Sequence, residues 1–388
     1  MENNHQKPHA ILFPYPLQGH VIPFVHLAIK LASKGFIITF VNTQSVHHNI
    51  IKSQPNSTKE DDIFAEARKS DKREDTIDYI PGVRAIEPKD LMSYLQATDD
   101  LSTVVYRIIF NAFEDVKRAD FVVCNTVQEL ESETILALQE KQPIYAIGPL
   151  FPVGFTNNTV PTSMWSESDC TKWLSTKPQG SVLYVSFGSY AHVSKQGIVE
   201  IAYGLLVSGV SFIWAVRPDI VSSDETDFLP VGFEDETKGR GLIVPWCRQM
   251  DVISHPTVGG FLTHCGWNSI LESIWCSVPL LCFPLLTDQF TNRKLVVDDW
   301  RIGLNLCDMR SITREEVARK INRLMSGKLA DELRTNIEEL KKVLLNSLTT
   351  HGSSENNFNQ FINDVKIKIR KKLGTVTLKH NGPSFNNA

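Results

Sequence analysis

A chain of 388 residues exceeds one average domain of ~150 residues and has room for two, each with its own core. Hydrophobic residues make up 42% and charged residues 22%, which is ordinary globular usage and excludes disorder, collagen and coiled coil as descriptions of the whole. Lys plus Arg number 40 against 44 Asp plus Glu, a net charge of -4, too mild to imply nucleic acid or an anionic membrane as the main partner.

Seven cysteines with no CxxC pair argue against both a disulfide framework and a zinc site, and point to a reducing compartment. The N-terminus, MENNHQKPH, lacks the basic-then-apolar build of a signal peptide. No apolar stretch of ~18 residues is available to span a bilayer. A cytoplasmic protein with no integral membrane segment is expected, and the sequons at Asn56 and Asn157 read as chance.

Along the chain, apolar runs of strand length alternate with segments of helical period, so the fold class is α/β with parallel sheets. His9 to Phe13 reads as a buried strand, Pro14 to Gly19 as a turn and Val21 to Ser33 as a helix stopped by Gly35, with a second strand at Phe36 to Val41. From Thr43 to Ala85 no strong strand is seen, and strand signals return at Phe121 to Cys124 and Ile144 to Ile147. Residues 149–170 read as a linker. Strands follow at Val182 to Ser186, Phe212 to Val216, Leu242 to Val244, Gly260 to Thr263 and Leu280 to Phe283. A helix is expected from Lys195 to Ser208, another opens with a capping box at Thr313 and Glu316, and a last one runs from Ser354 to Leu373.

The stretch from Trp246 to Gln289 carries the chemistry. At its centre a strand, a Gly-containing turn and a helix start aim backbone N–H groups and the positive helix end at one point, a ready anion site for a diphosphate. His264, Asn268 and Ser269 have side chains near that point. Glu272, one turn after Asn268, is placed to accept from two vicinal ribose hydroxyls, and Trp246 offers a flat face for a base. Neither GxGxxG after the first strand nor GxxxxGK[ST] is present, so the dinucleotide fingerprint and the P-loop are both unsupported.

The same stretch, WCRQMDVISHPTVGGFLTHCGWNSILESIWCSVPLLCFPLLTDQ, resembles the signature box of the plant family 1 UDP-glycosyltransferases. PYPLQGHVIP near the start, IGPL before the linker, VSFGS at Val185 to Ser189 and HGSSENNF before the last helix extend the likeness over nearly the whole chain. Within the family it is nearest the UDP-glycosyltransferase 86A-like branch. The resemblance implies a GT-B fold, two Rossmann-like domains facing across a cleft, with Trp246 stacked on uracil and Gln249 beside the nucleotide. Ser189, His264, Asn268 and Ser269 would hold the diphosphate, Glu272 the ribose, and Trp267, Asp288 and Gln289 the sugar. Gln289 at the end of the box favours UDP-glucose as donor, with a small lipophilic plant metabolite as acceptor, no cofactor, no metal and a monomeric protein.

His20 follows Gly19 at the start of the first helix, where the positive dipole end disfavours imidazolium and keeps the ring neutral near pH 7, as a general base requires. In the family the matching His removes the acceptor proton, and the anomeric carbon inverts as UDP leaves.

One departure stands out. A complete N-terminal domain of this type needs about six strands at ~30 residues per βα unit, and the part before residue 149 is too short. The gap falls at 70/71, where EARKS runs directly into DKREDTIDYIPGV. The strand whose Asp orients the catalytic His in the family has no match. The expected layout is a truncated N-terminal domain over 1–148, the UDP-sugar domain over 171–345, a helix over 346–373 packing back on the first domain, and a flexible tail over 374–388. Two outcomes remain open, an active glucosyltransferase or a catalytically impaired splice form or pseudoenzyme that binds UDP-sugar.

Overall fold

A computed structural model describes residues 7–41, 75–96, 104–151, 163, 165–221, 228–307 and 312–380. The junction at 70/71, both sequons and the chain beyond residue 380 lie outside the described residues.

In the N-terminal half, β1 (His9–Leu12) leads into α1 (Gln18–Ser33), and β2 (Ile37–Phe40) returns parallel to β1 with His9 opposite Ile37 and Leu12 opposite Phe40. Helix α1 opens at Gln18, so His20 lies inside its first turn. Then come α2 (Val104–Lys117), β3 (Val122–Cys124), α3 (Ser132–Gln139) and β4 (Ile144–Ala146), with β3 and β4 parallel. The pairs β1–β2 and β3–β4 are separate two-stranded sheets.

The C-terminal half holds β5 (Val182–Ser186), α4 (Lys195–Ser208), β6 (Ser211–Ala215), β7 (Gly241–Val244), α5 (Gln249–Ile253), β8 (Val258–Thr263), α6 (Trp267–Cys276), β9 (Leu280–Cys282), α7 (Gln289–Lys294) and β10 (Gly303–Asn305). Its six strands form one parallel sheet in the order β10-β9-β8-β5-β6-β7. Every residue of β5 and β8 is buried, which is why they read as continuous apolar runs: helices cover both faces of a parallel sheet. One apolar layer contains Val182, Tyr184, Phe261 and Ile270, the other Leu183, Val185, Leu262 and Ile321. Helix α4 starts where Ser194 Oγ accepts from Gly197 N at 3.1 Å and stops at Gly209, whose φ of 70° is left-handed.

Helices α8 (Arg314–Met325), α9 (Lys328–Ser347) and α10 (Ser353–His380) complete the chain. Thr313 caps α8 by accepting from Glu316 N at 3.3 Å, whereas the Glu316 carboxylate pairs with Arg319. Only the first half of the expected box is therefore made. Strand β10 and helix α9 go beyond the sequence expectation, although Ala330, Leu333, Ile337 and Leu344 of α9 are all buried. Helix α10 continues past 373 into the segment expected to be a flexible tail. An interior Gly such as Gly374 weakens a helix by only ~1 kcal/mol, and no Pro intervenes before Pro383.

Helix α10 packs on the N-terminal half. Phe358 and Ile362 join Leu12, Leu27, Phe36, Tyr145 and Ile147 in one core. Asn357 Nδ2 donates to Ala146 O at 3.0 Å, Tyr145 Oη to Asp364 at 2.6 Å, and Lys34 Nζ to Glu355 at 3.0 Å. The end of the expected linker is also tied down, since Ser168 N donates to Trp246 O at 2.9 Å.

Candidate active site

The C-terminal sheet turns back on itself between β5 and β8, because the chain runs outward through β6 and β7 before returning to β8. Ligands of open α/β sheets bind beyond the carboxyl ends of the strands at such a point. Ser186 ends β5 and Thr263 ends β8, so the loops that follow bring Ser189 and His264 to the same place. Helix α6 begins there too, capped by Gly266, which has no side chain to occupy the first-turn N–H groups.

The His264 ring is packed between two glycines. A Cβ at Gly188 or at Gly266 would lie 2.6 Å from its Nε2. Burial lowers its pKa to about 4, reinforced by Arg217 and opposed by Asp288 and a hydrogen bond to the Ser186 backbone. The imidazole is thus neutral at pH 7. Its Nδ1 is buried without a hydrogen-bond partner.

Arg217, which no sequence signal singled out, is 1% exposed. Its guanidinium donates to Gly188 O, to Ala191 O at 3.0 Å and to Asp219 at 2.9 Å. It braces the loop that carries Ser189 and adds a fixed positive charge beside His264.

A second chain of contacts joins the residues that the resemblance assigns to the base and the ribose. Gln249 Nε2 donates to Glu272 Oε2 at 2.7 Å and to Ser269 Oγ at 2.9 Å, and its Oε1 accepts from Tyr184 Oη at 3.4 Å. Burial pushes the Glu272 carboxyl up to about 7, with the Gln249 hydrogen bond opposing. Trp246 is half-buried, its ring centroid 6.1 Å from that of Trp165.

The N-terminal half joins the site through α6. Asn268 Nδ2 donates to Gly19 O at 2.7 Å, and Asn268 Oδ1 accepts from Asn125 Nδ2 at 3.4 Å. Trp267 Nε1 donates to Asn125 O at 2.7 Å. Asn268 and Trp267, assigned by resemblance to the diphosphate and the sugar, here tie α6 to the N-terminal half, Asn268 to the residue preceding His20 and Trp267 to Asn125. Asn125 is a second residue that sequence reasoning missed, for its partners in α6 lie more than a hundred positions away.

His20 packs edge-on to Tyr15 at 5.6 Å between centroids. Its pKa is lowered, first by the protein that desolvates it, with Asp288 opposing. The direction matches the sequence expectation, while the leading cause is burial. Among the described residues no carboxylate hydrogen-bonds the His20 ring, and Asp288 is the acidic group it feels.

Asp288 is exposed and accepts from Thr287 Oγ1 at 2.8 Å and Asn292 Nδ2 at 2.9 Å. Gln289 is 5% exposed, and its Oε1 accepts from Leu285 N at 2.9 Å and Leu286 N at 3.0 Å. It shapes the loop that presents Asp288. That loop is clasped from the N-terminal half: Ser93 N donates to Thr287 O at 2.8 Å, Thr287 N donates to Ser93 Oγ at 2.9 Å, and Asp90 pairs with Arg293. A cavity of about 340 Å³ lined by Glu167, Cys170, Arg248 and Asp251 contains none of the candidate site residues.

The family described as UDP-glucoronosyl and UDP-glucosyl transferase matches residues 155–343. UDP-glycosyltransferase 86A1 of Arabidopsis thaliana is 50% identical over 488 residues, covering 98% of this chain and 99% of that one. UDP-glycosyltransferase 86A2 of the same plant is 46% identical, covering 95% and 96%. An alignment of 488 residues with a chain of 388 leaves part of the relative without a counterpart here. A solved UDP-glucosyltransferase from Polygonum tinctorium, described as capable of glucosylating indoxyl, is 27% identical with a TM-score of 0.77, covering 92% of this chain and 98% of that one. A Glycyrrhiza uralensis structure, 20% identical with a TM-score of 0.80 over 97% of this chain and 100% of its own, shares the fold. With this sheet, this switch point and these relatives, the chain belongs to the plant UDP-glycosyltransferase family, in its 86A branch, and has the GT-B fold.

Proposed function

We propose that the protein transfers glucose from UDP-glucose to a hydroxyl of a small lipophilic metabolite in the cytoplasm, with inversion at the anomeric carbon and His20 as general base. The observation that carries this is the hydrogen bond from Asn268 to Gly19 O, which joins the anion-facing end of α6 to the turn bearing His20. Neutral His20 takes the acceptor proton through a ring nitrogen. The freed oxygen attacks the sugar carbon as its bond to the diphosphate breaks, and charge growing on UDP meets the α6 N-terminus, Ser189 and His264. Glu272 and Gln249 would hold the ribose, Trp246 the base, and Asp288 the sugar hydroxyls. Exposed Tyr15, which packs against His20, and exposed Phe13 supply apolar surface for the acceptor.

A second reading has its own support. No orienting carboxylate bonds to His20 among the described residues, and the 86A relatives carry residues that this chain lacks. This reading is a protein that binds UDP-sugar and turns it over poorly. Purified protein incubated with UDP-glucose and a panel of phenolic and terpenoid alcohols decides between them. Release of UDP that falls by about 10²–10⁴ in His20→Ala supports catalysis; UDP binding by calorimetry without turnover supports the impaired form.

A further inference from the structure

We infer that Trp165 is a positioning residue for the donor site: its indole backs Trp246, and the segment 165–170 is a strap that fixes the tilt of the surface on which a uracil base stacks. This rests on the donor-site reading above.

Strand β7 is one of the two edge strands of the sheet, and beyond Val244 the chain leaves the sheet through Trp246 toward α5. What holds that departing loop is the strap. Ser168 forms a parallel bridge with Cys247, and its N–H donates to Trp246 O at 2.9 Å. Glu167 pairs with Arg248 at 3.5 Å. Cys170 and Cys247, each 3% exposed, sit in the same apolar core. Trp165 is anchored in turn by buried Ser163, whose Oγ accepts from Trp165 N at 3.1 Å and donates to Trp165 O at 2.8 Å.

The ring geometry separates two roles. Trp165 and Trp246 lie 6.1 Å apart with 31° between their planes, within the range of aromatic pairs. A base sandwiched between them would need two stacking gaps of about 3.5–4.0 Å each, more than this separation provides. A base stacked on Trp246 therefore does not lie between the two rings, and Trp165 acts through Trp246.

The test measures binding of UDP and of inorganic pyrophosphate to the full chain by titration calorimetry. Trp165→Ala should weaken UDP by about tenfold, the effect of one aromatic pair, and leave pyrophosphate unchanged, while Trp165→Phe should retain UDP affinity. Equal loss for both ligands, or no loss for UDP, overturns the inference. Should Trp165→Ala not fold, Trp165→Leu keeps the bulk without the stacked ring and is judged by the same ratio. Trp246→Ala is the control: unchanged UDP affinity there sinks the donor-site reading itself, whereas a loss in Trp246→Ala with none in the Trp165 variants sinks only the strap.

Discussion

At the scale of single residues, Glu272 offers the sharpest test of the proposed donor site. Its carboxyl, raised to about 7 by burial, is only partly ionised at neutral pH, and two ribose hydroxyls would favour the ionised form. UDP affinity should therefore rise between pH 6 and pH 8, and Glu272→Gln should flatten that profile in calorimetric titrations. The ligand-free protein behaves oppositely: a raised carboxyl pKa gives stability that is fully present below the unfolded value and is lost as pH rises through about 7. Melting temperatures across that window should fall less in Glu272→Gln. Gly188 is equally exposed to test. At φ +73 and with a Cβ position 2.6 Å from His264 Nε2, Gly188→Ala must displace the imidazole. It should weaken pyrophosphate binding together with UDP, the reverse of the base-specific loss expected for Trp165.

Among elements, what matters is how α6 and α7 are held from the other half of the chain. The run Trp246–Gln289 was legible because its parts are local: a fully buried, mainly apolar strand, a turn and a helix start lie in one continuous stretch. The clasp from Pro88–Asp90 and Ser93 onto Thr287 and Arg293 was illegible, since its partners are some two hundred positions apart and each is an ordinary polar residue. The same holds for Asn125 and Arg217, which became functional neighbours only through packing. Asp90 is 4% exposed, so Asp90→Ala leaves the Arg293 charge without its buried partner. Urea denaturation should show a loss of about 1.5–3 kcal/mol, with UDP-glucose turnover, where present, reduced alongside as the Asp288 loop loosens.

For the molecule as a whole, the two halves are unequal. The C-terminal half has six paired strands with apolar layers on both faces, while the described N-terminal residues form two separate pairs. Ile11 and Phe13 of the first strand region and Ile37 of β2 are 67%, 69% and 51% exposed. Two-stranded sheets are marginal alone, and such apolar exposure invites association. Calorimetry should resolve two transitions, the lower one from the N-terminal half and the upper one shifted upward by UDP; a single transition moving as one with UDP would contradict this. The sequence by itself determined the α/β class and most strands and pointed to an anion-binding turn, because hydrophobic period and turn chemistry are written within a few residues; the shortness of the first half was read from the family resemblance. Only the tertiary structure decided that Asn268 and Trp267 bond to Gly19 and Asn125, that Gln289 braces its own loop, and that burial tunes His20, His264 and Glu272. Those outcomes depend on which distant segments meet and exclude water, and no local pattern encodes that.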